Sequence, residues 1–460
     1  MTRRTLIALA VSLALAACAQ APLQAPPSPT APAAWQQAPV TSTAALDALE
    51  TPELRALLAR ADAANRDLAS AALRLRQAQT QERVAGLRFS PQAGLSHSAS
   101  RPVEPQSSTR VVDVGGVGVP VTSQQGWSRS YSASVGVGWE WDVWDRLAQG
   151  RNAAAAQTEA AQADLRAAHA QLRQQVAERY WTLRALAAQR PLATRQRELA
   201  QDVLQRVRLR VQEGKLLPIE VDRAAASLQQ AEVRLADLDA DTRLQRQQLA
   251  LLLDEPLPGP EVTSTALLEP APSLALPAPA DVLARRPDLQ RARALVDAAL
   301  ARLRVSEAQR YPQLSFSANL STNGSRASDW LSQPLVSLAG NLVVPLIDWQ
   351  RLDAQRDSAR TELELAALQL RDTVARSVVE VEALLVEGQR LRDQQAANVA
   401  RLREATQAAR QAALRYETGT LSRADWLQLE VARLDAEISA QQLLLRERVQ
   451  REQLARALAL

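Results

Sequence analysis

Tyr131-Ser132-Ala133-Ser134-Val135-Gly136-Val137-Gly138-Trp139-Glu140-Trp141-Asp142-Val143, followed at once by Trp144-Asp145-Arg146-Leu147, is the stretch that decides the fold. Tyr131, Ala133, Val135, Val137, Trp139, Trp141 and Val143 alternate with Ser132, Ser134, Gly136, Gly138, Glu140 and Asp142. A period of two puts one apolar and one polar face on a strand. After Leu147 the pattern changes to Ala, Leu, Gln, Arg and Glu, all good helix formers, up to Gly214 with Pro191 as the one interruption. The chain therefore passes from a two-faced strand into a very long helix.

The same passage is written again downstream. Trp349-Gln350-Arg351-Leu352 matches Trp144-Asp145-Arg146-Leu147 at a shift of 205 (349 − 144), and Gly419 matches Gly214 at that shift. Upstream, Arg286-Pro287-Asp288-Leu289 matches Asn65-Arg66-Asp67-Leu68 at 221 (286 − 65), and Pro312-Gln313 matches Pro91-Gln92 likewise. Both quartets lie in Ala/Leu/Arg-rich helical pattern. The two shifts differ by 16 (221 − 205), so the first copy is longer only between Pro91 and Trp144. Register held on both sides of one insertion marks two homologous halves. We expect a first repeat over 44–253, with a helix, strands over 89–100 and 131–143, and a helical hairpin over 146–253. The second spans 281–460, with strands over 312–321 and 335–347 and a hairpin over 351–458. Between them, 254–280 is crowded with prolines that no helix survives. The segments 101–130 and 321–334 read as loops, Gly115-Gly116 and Gly118 making the first mobile.

Strands of about ten residues suit a tilted membrane crossing, and Trp139, Trp141, Trp144 and Trp349 collect at one strand end as an interfacial aromatic belt would. Four strands cannot close a barrel, and open edges are not tolerated in lipid, so the chain requires at least one further copy. Helices of 68 residues or so, with few aromatics, reach on the order of 100 Å and must pack side by side as coiled coils.

At the start, Arg3 and Arg4 precede a short apolar run, Leu6 to Ala16, as in a secretory signal over 1–17. Leu15-Ala16-Ala17-Cys18 looks like a bacterial lipoprotein box, in which Cys18 takes acyl chains such as palmitate; an ordinary cut at an Ala-x-Ala site is the other reading. Ala19 is neutral, as in lipoproteins sorted to the outer membrane. Residues 18–43 read as the lipid anchor and an extended tether. Cys18 is the sole cysteine, and the two histidines, His97 and His169, lie far apart without ligand spacing. No metal centre, cofactor loop or nucleophile pair is advertised, so no enzymatic activity and no cofactor are expected. The net charge of +4 comes from Arg interleaved with Asp and Glu, a solvated mixed-charge face with no nucleic-acid footprint.

Together with the Cys18 box, Arg285-Arg286-Pro287-Asp288-Leu289, Tyr311-Pro312-Gln313-Leu314 and Tyr416-Glu417-Thr418-Gly419-Thr420 resemble the TolC-like outer-membrane efflux channel family, in its lipoprotein branch serving resistance-nodulation-division pumps. The resemblance covers about 44–458. It implies a mixed α and β fold in which long antiparallel coiled-coil helices form a periplasmic α-barrel. Each subunit of a homotrimer would add four strands to one 12-stranded transmembrane β-barrel. It further implies a passive duct that meets a periplasmic membrane-fusion adaptor and an inner-membrane pump. Gly214 and Gly419 would turn the helices at the periplasmic tips, with Arg210, Glu213, Lys215, Tyr416 and Thr418 as exposed neighbours for the adaptor. Glu220 and Asp425, six residues past each glycine, would narrow the closed mouth, while Gln428 stands where a second acidic residue is frequent in the family. A same-fold duct for type I protein secretion or metal efflux, a periplasmic coiled-coil scaffold and an envelope enzyme are the competing classes.

Overall fold

The computed structural model describes residues 32–36, 51–87, 89–100, 107–124, 128–262, 266–270, 276–326, 328, 331, 334–345 and 347–460. Cys18, most of the tether, Trp330 and Leu346 lie outside them. The first half contains α1 (Pro52–Ala64), α2 (Arg66–Ala85), β1 (Phe89–Ser100), β2 (Ser107–Val114), β3 (Val117–Gln124), β4 (Ser128–Trp141), α3 (Arg146–Gln212) and α4 (Ile219–Leu253). The second contains α5 (Pro279–Arg285), α6 (Pro287–Ala308), β5 (Gln313–Gly324), β6 (Pro334–Val343), α7 (Trp349–Glu417) and α8 (Arg423–Ala457). The chain forms two compact units, one holding Ala78–Gln157 and Val296–Ala366, the other Pro27–Gln77, Thr158–Leu295 and Ala367–Leu460.

The first unit is built on one antiparallel sheet in the order β1-β4-β5-β6, so strands from both halves share it. The register lines up Val135 with Leu320 and Leu320 with Val336, Val137 with Ala318 and Ala318 with Leu338, and Trp139 with Phe316. These residues make one apolar band across the sheet, and it is uncovered: Leu338 is 80% exposed and Val135 61%. The opposite face carries Ser134 beside Ser321 and Glu140 beside Ser315. A water-soluble sheet buries its apolar face, and this one does not. β2 and β3 form a separate two-stranded hairpin in the stretch that sequence assigned to a mobile loop.

The strand-to-helix passage is fastened by Asp142, whose carboxylate accepts the Leu147 and Ala148 N–H groups at 2.9 and 2.8 Å, two of the orphan donors that open α3. α3 runs unbroken through Pro191, although proline removes one ladder bond there.

The second unit holds the packed core. Leu54, Leu57 and Leu58 of α1 sit against Leu172, Val176 and Tyr180 of α3 and Leu249 of α4. Val282 of α5 packs with Val381 of α7, Leu454 of α8 and Leu458, which caps that helix. Neither matched quartet continues a helix: α1 stops at Asn65 and α5 at Arg286. The reason is local. Asn65 Oδ1 accepts from the N–H groups of Asp67 and Leu68, a side-chain cap that starts α2 anew, and Pro287 cannot continue α5 but suits the first turn of α6. The breaks serve one purpose in both halves. Asn65 Nδ2 donates to Leu252 O at 3.0 Å and Arg286 Nη1 to Ala457 O at 2.9 Å, each reaching the last turn of a return helix at positions that differ by 205 (457 − 252). The proline-rich crossing is also held down, by Leu268 N donating to Gln441 Oε1 at 2.8 Å and by Arg448 reaching Glu269 O.

Candidate functional site

Two surfaces follow from this architecture: the apolar band of the sheet, and the turns that join the paired long helices.

At the end of the sheet, Trp139 stacks on Phe316 with ring centroids 5.7 Å apart. Trp144 stacks on Tyr311 at 4.6 Å and donates its indole N–H to Pro312 O at 2.9 Å, while Arg310 faces the Trp349 ring at 5.4 Å. Trp141 pairs in register with Leu314 and is 55% exposed. Trp139, Trp144 and Trp349 thus each have a polar or aromatic partner and remain partly open, while Trp141 is open beside Leu314. That is the arrangement suited to a boundary between hydrocarbon and water.

The two helical turns have the same backbone. Gly214 has φ +69° and Gly419 φ +75°, and an added Cβ would meet nothing within 4 Å at either. Lys215 N donates to Arg210 O at 2.8 Å, and Thr420 N to Arg415 O at 2.8 Å, the bond that closes a helix through a left-handed glycine. The side chains differ. In the first turn, Lys215 pairs with Glu213 at 2.9 Å and, by that hydrogen bond first, lowers its carboxyl below the ordinary value. In the second, Thr418 and Thr420 hydroxyls both donate to Arg415 O, at 3.1 and 3.0 Å. Arg210, Glu213, Lys215 and Thr418 are exposed as expected, but Tyr416 is not: it is half-buried and stacked on Trp426 at 5.4 Å, because an aromatic ring one turn from the tip finds a partner on α8.

Beyond the glycines, Glu220 lies in the first turn of α4 and pairs with Arg223 at 2.9 Å. Asp425 is exposed in the first turn of α8, where the Ser422 hydroxyl donates to its carboxylate at 2.7 Å and accepts its N–H at 3.2 Å. Ser422 is thus the N-cap and Asp425 its reciprocal partner, a function independent of any gate. Gln428 is exposed one turn on.

A cluster that sequence reading missed ties the second hairpin to the first. Arg423 of α8 donates to Asp202 Oδ2 of α3 at 3.2 Å and to Tyr416 Oη at 3.3 Å, and lies over the rings of Tyr416 and Trp426. Asp202 also accepts from Arg206 at 3.0 Å. Burial pushes the Asp202 carboxyl up, but hydrogen bonds and charge from Arg206, and then from Arg423, outweigh it and hold it below the ordinary carboxylate value. Alongside runs a groove of about 340 Å³, with Val203, Val207, Leu216 and Leu427 on its walls and Arg206 and Arg210 on its rim. No spacing could reveal this cluster, since Asp202 and Arg423 are separated by 221 residues. Among the described residues, no three His, Cys, Asp or Glu side chains converge in a metal-holding arrangement.

An exposed apolar sheet face joined to paired long helices defines a membrane-embedded conduit protein. The outer membrane efflux protein family model matches residues 57–255 and 278–460, and the chain belongs to that family. The pyoverdine export outer membrane protein OpmQ of Pseudomonas aeruginosa is 30% identical over 375 residues, covering 79% of this chain and 77% of that protein. The toluene efflux pump outer membrane protein TtgC of Pseudomonas putida is 26% identical, covering 82% and 79%. Among solved structures, CusC superposes with a TM-score of 0.78 at 21% identity over 95% of this chain and 98% of its own. The Neisseria gonorrhoeae MtrE outer membrane channel gives 0.74 at 20% identity, covering 95% and 97%. The fold is that of these channels, and the chain is an outer-membrane efflux protein.

Proposed function

We propose that three copies close one barrel of twelve strands (three times four) in the outer membrane and one tunnel of paired helices in the periplasm. The homotrimer conducts substrate passively, without catalysis or a cofactor, from a periplasmic membrane-fusion adaptor and an inner-membrane resistance-nodulation-division pump to the exterior. The observation that carries the reading is the four-stranded sheet with an apolar face uncovered and no partner for the outer edges of β1 and β6 among the described residues. Such a sheet is stable in hydrocarbon only when copies pair edge to edge. The other face, with its Ser, Gly, Asn and Glu residues, then lines the lumen.

On this reading Trp139, Trp141, Trp144 and Trp349 sit at the periplasmic boundary of the bilayer and acyl chains on Cys18 add a second anchor. The turns at Gly214 and Gly419 with the Arg-rimmed groove receive the adaptor. Asp425, with Gln428 one turn on and Glu220 at the matching place in the first half, sets the charge of the mouth, since three like carboxylates around an axis favour cations. Single-channel recording in planar bilayers, with the oligomeric mass measured on the same preparation, tests the duct. Long-lived conductance steps from a trimer are expected; a water-soluble protein that never inserts sinks it.

A further inference from the structure

The β2–β3 hairpin has no counterpart among the described residues of the second half: it fills the insertion that makes the first half longer. Its register pairs Arg110 with Val121, Val112 with Val119 and Val114 with Val117 around a turn at Gly115 and Gly116, both at positive φ. Opposed residues share a face, so Val112, Val117, Val119 and Val121 make one apolar surface. The other face holds Thr109, Asp113 and Pro120 and a single valine, Val111, which lies against Gly118 and is 65% exposed, so four valines stand on one face and one on the other. The valine surface is uncovered, with Val117 66% exposed, and among the described residues no other element packs substantially on the hairpin. A two-stranded hairpin standing alone is marginal in water and needs a cover for its apolar face.

The structure assigns that cover to the other copies of the chain: we propose that the three valine faces pack on one another over the outer mouth of the barrel. The inference rests on the trimeric duct proposed above. The hairpin is spliced between Ser100 and Ser128, which pair with each other at the end of β1 and β4, so all three hairpins leave the same rim. Each strand has eight residues, about 27 Å, whereas twelve strands tilted about 40° enclose a radius of only about 12 Å. Each hairpin thus reaches the axis with length to spare. Arg110 lies on the valine face at the strand end away from the turn, where it stays in water while the valines nearer the tip meet. The result is an apolar plug at the exit, which excludes water and ions at rest and parts when substrate is driven through. The second half, whose β5–β6 connection lacks such a hairpin among the described residues, contributes none.

The experiment is disulfide trapping of Val119→Cys and, on the opposite face, Thr109→Cys in the full-length protein in liposomes, with the parent, whose sole cysteine is Cys18, as blank. Oxidation should link two chains of every trimer at position 119, leave the third unlinked, and leave the position 109 variant monomeric in denaturing gels. Val119→Asp should raise resting single-channel conductance several-fold while Val111→Asp does not. Equal trapping on both faces, or none at 119 in a preparation that runs as a trimer, overturns the plug and leaves the duct standing. A label at position 119 quenched by brominated lipid overturns it too, placing the valines on the bilayer. A preparation that stays monomeric overturns both readings.

Discussion

Arg286 shows how one side chain closes a fold of long helices. Its guanidinium is buried, donates to Asp288 Oδ2 at 2.8 Å, Glu380 Oε2 at 2.6 Å and Ala457 O at 2.9 Å, and so joins α6, α7 and the last turn of α8. Arg286→Ala should cost about 2–3 kcal/mol, below the range for a fully buried pair because Asp288 and Glu380 are partly exposed. Thermal unfolding followed by circular dichroism on the detergent-purified protein measures it. Burial raises the Asp288 carboxyl, and the Arg286 hydrogen bond and charge more than reverse this, leaving it lowered from 3.8. A carboxylate depressed in the fold stabilises above its unfolded value and loses that contribution as pH falls through the folded one. The gap between parent and variant should therefore shrink as pH drops below 3.8, and a gap that widens in acid refutes the pairing. The arginine was legible as part of a repeated motif. Its distant partners were not, because Glu380 and Ala457 lie 94 and 171 residues away and nothing in local pattern points to them.

At the scale of elements, the turns and the Arg423 cluster make separable predictions. Gly214→Val or Gly419→Val forces a side chain into left-handed backbone at a cost of about 1–2 kcal/mol, with no further clash against the rest of the chain because the space is open. Amide exchange should quicken at the altered turn alone; a drop in trimer stability would mean that the turns have packing roles not visible in one chain. Arg423→Ala cuts the tie between α8 and Asp202, so the hairpins should part more readily and resting conductance should rise. Asp202→Asn should do the same, and the double variant should add little, since both remove one interaction; full additivity refutes the tie. Asp425→Asn keeps an acceptor for Ser422 and removes only charge, so cation selectivity should fall with α8 intact, whereas unchanged selectivity confines Asp425 to capping. Strands and helices were readable because their periods of two and 3.6 persist over many residues. The β2–β3 hairpin was not read, although Val-Val-Asp-Val and Val-Gly-Val-Pro-Val around Gly-Gly carry the signal of a two-residue turn. The dense glycine and serine there pointed to a loop. Tyr416 was misplaced for a related reason: exposure was inferred from nearness to a turn, and the turn brings α8 alongside.

For the molecule as a whole, the trimeric reading proposed above makes the barrel the means of insertion and acyl chains on Cys18 an auxiliary hold. Cys18→Ala should therefore abolish palmitate labelling yet leave a heat-modifiable trimer in the outer membrane; continued labelling would remove Cys18 as the attachment site. Function at this scale was legible through the doubling and the two-faced strands, while cargo was not, since the polar sheet face that the proposed lumen would present carries mostly serine, glycine and asparagine, which discriminate little. The doubling has one more consequence. Both turns share a backbone and differ in side chains: a charged Lys215–Glu213 pair on one, Thr418 and Thr420 hydroxyls on the other. The proposed threefold assembly thus offers a docking ring of six glycine turns that alternate between a Lys215–Glu213 ion pair and a pair of threonine hydroxyls. A partner that recognises outline alone fills all six in a single phase. One that recognises charge fills them as two classes of three, and added salt weakens only one class.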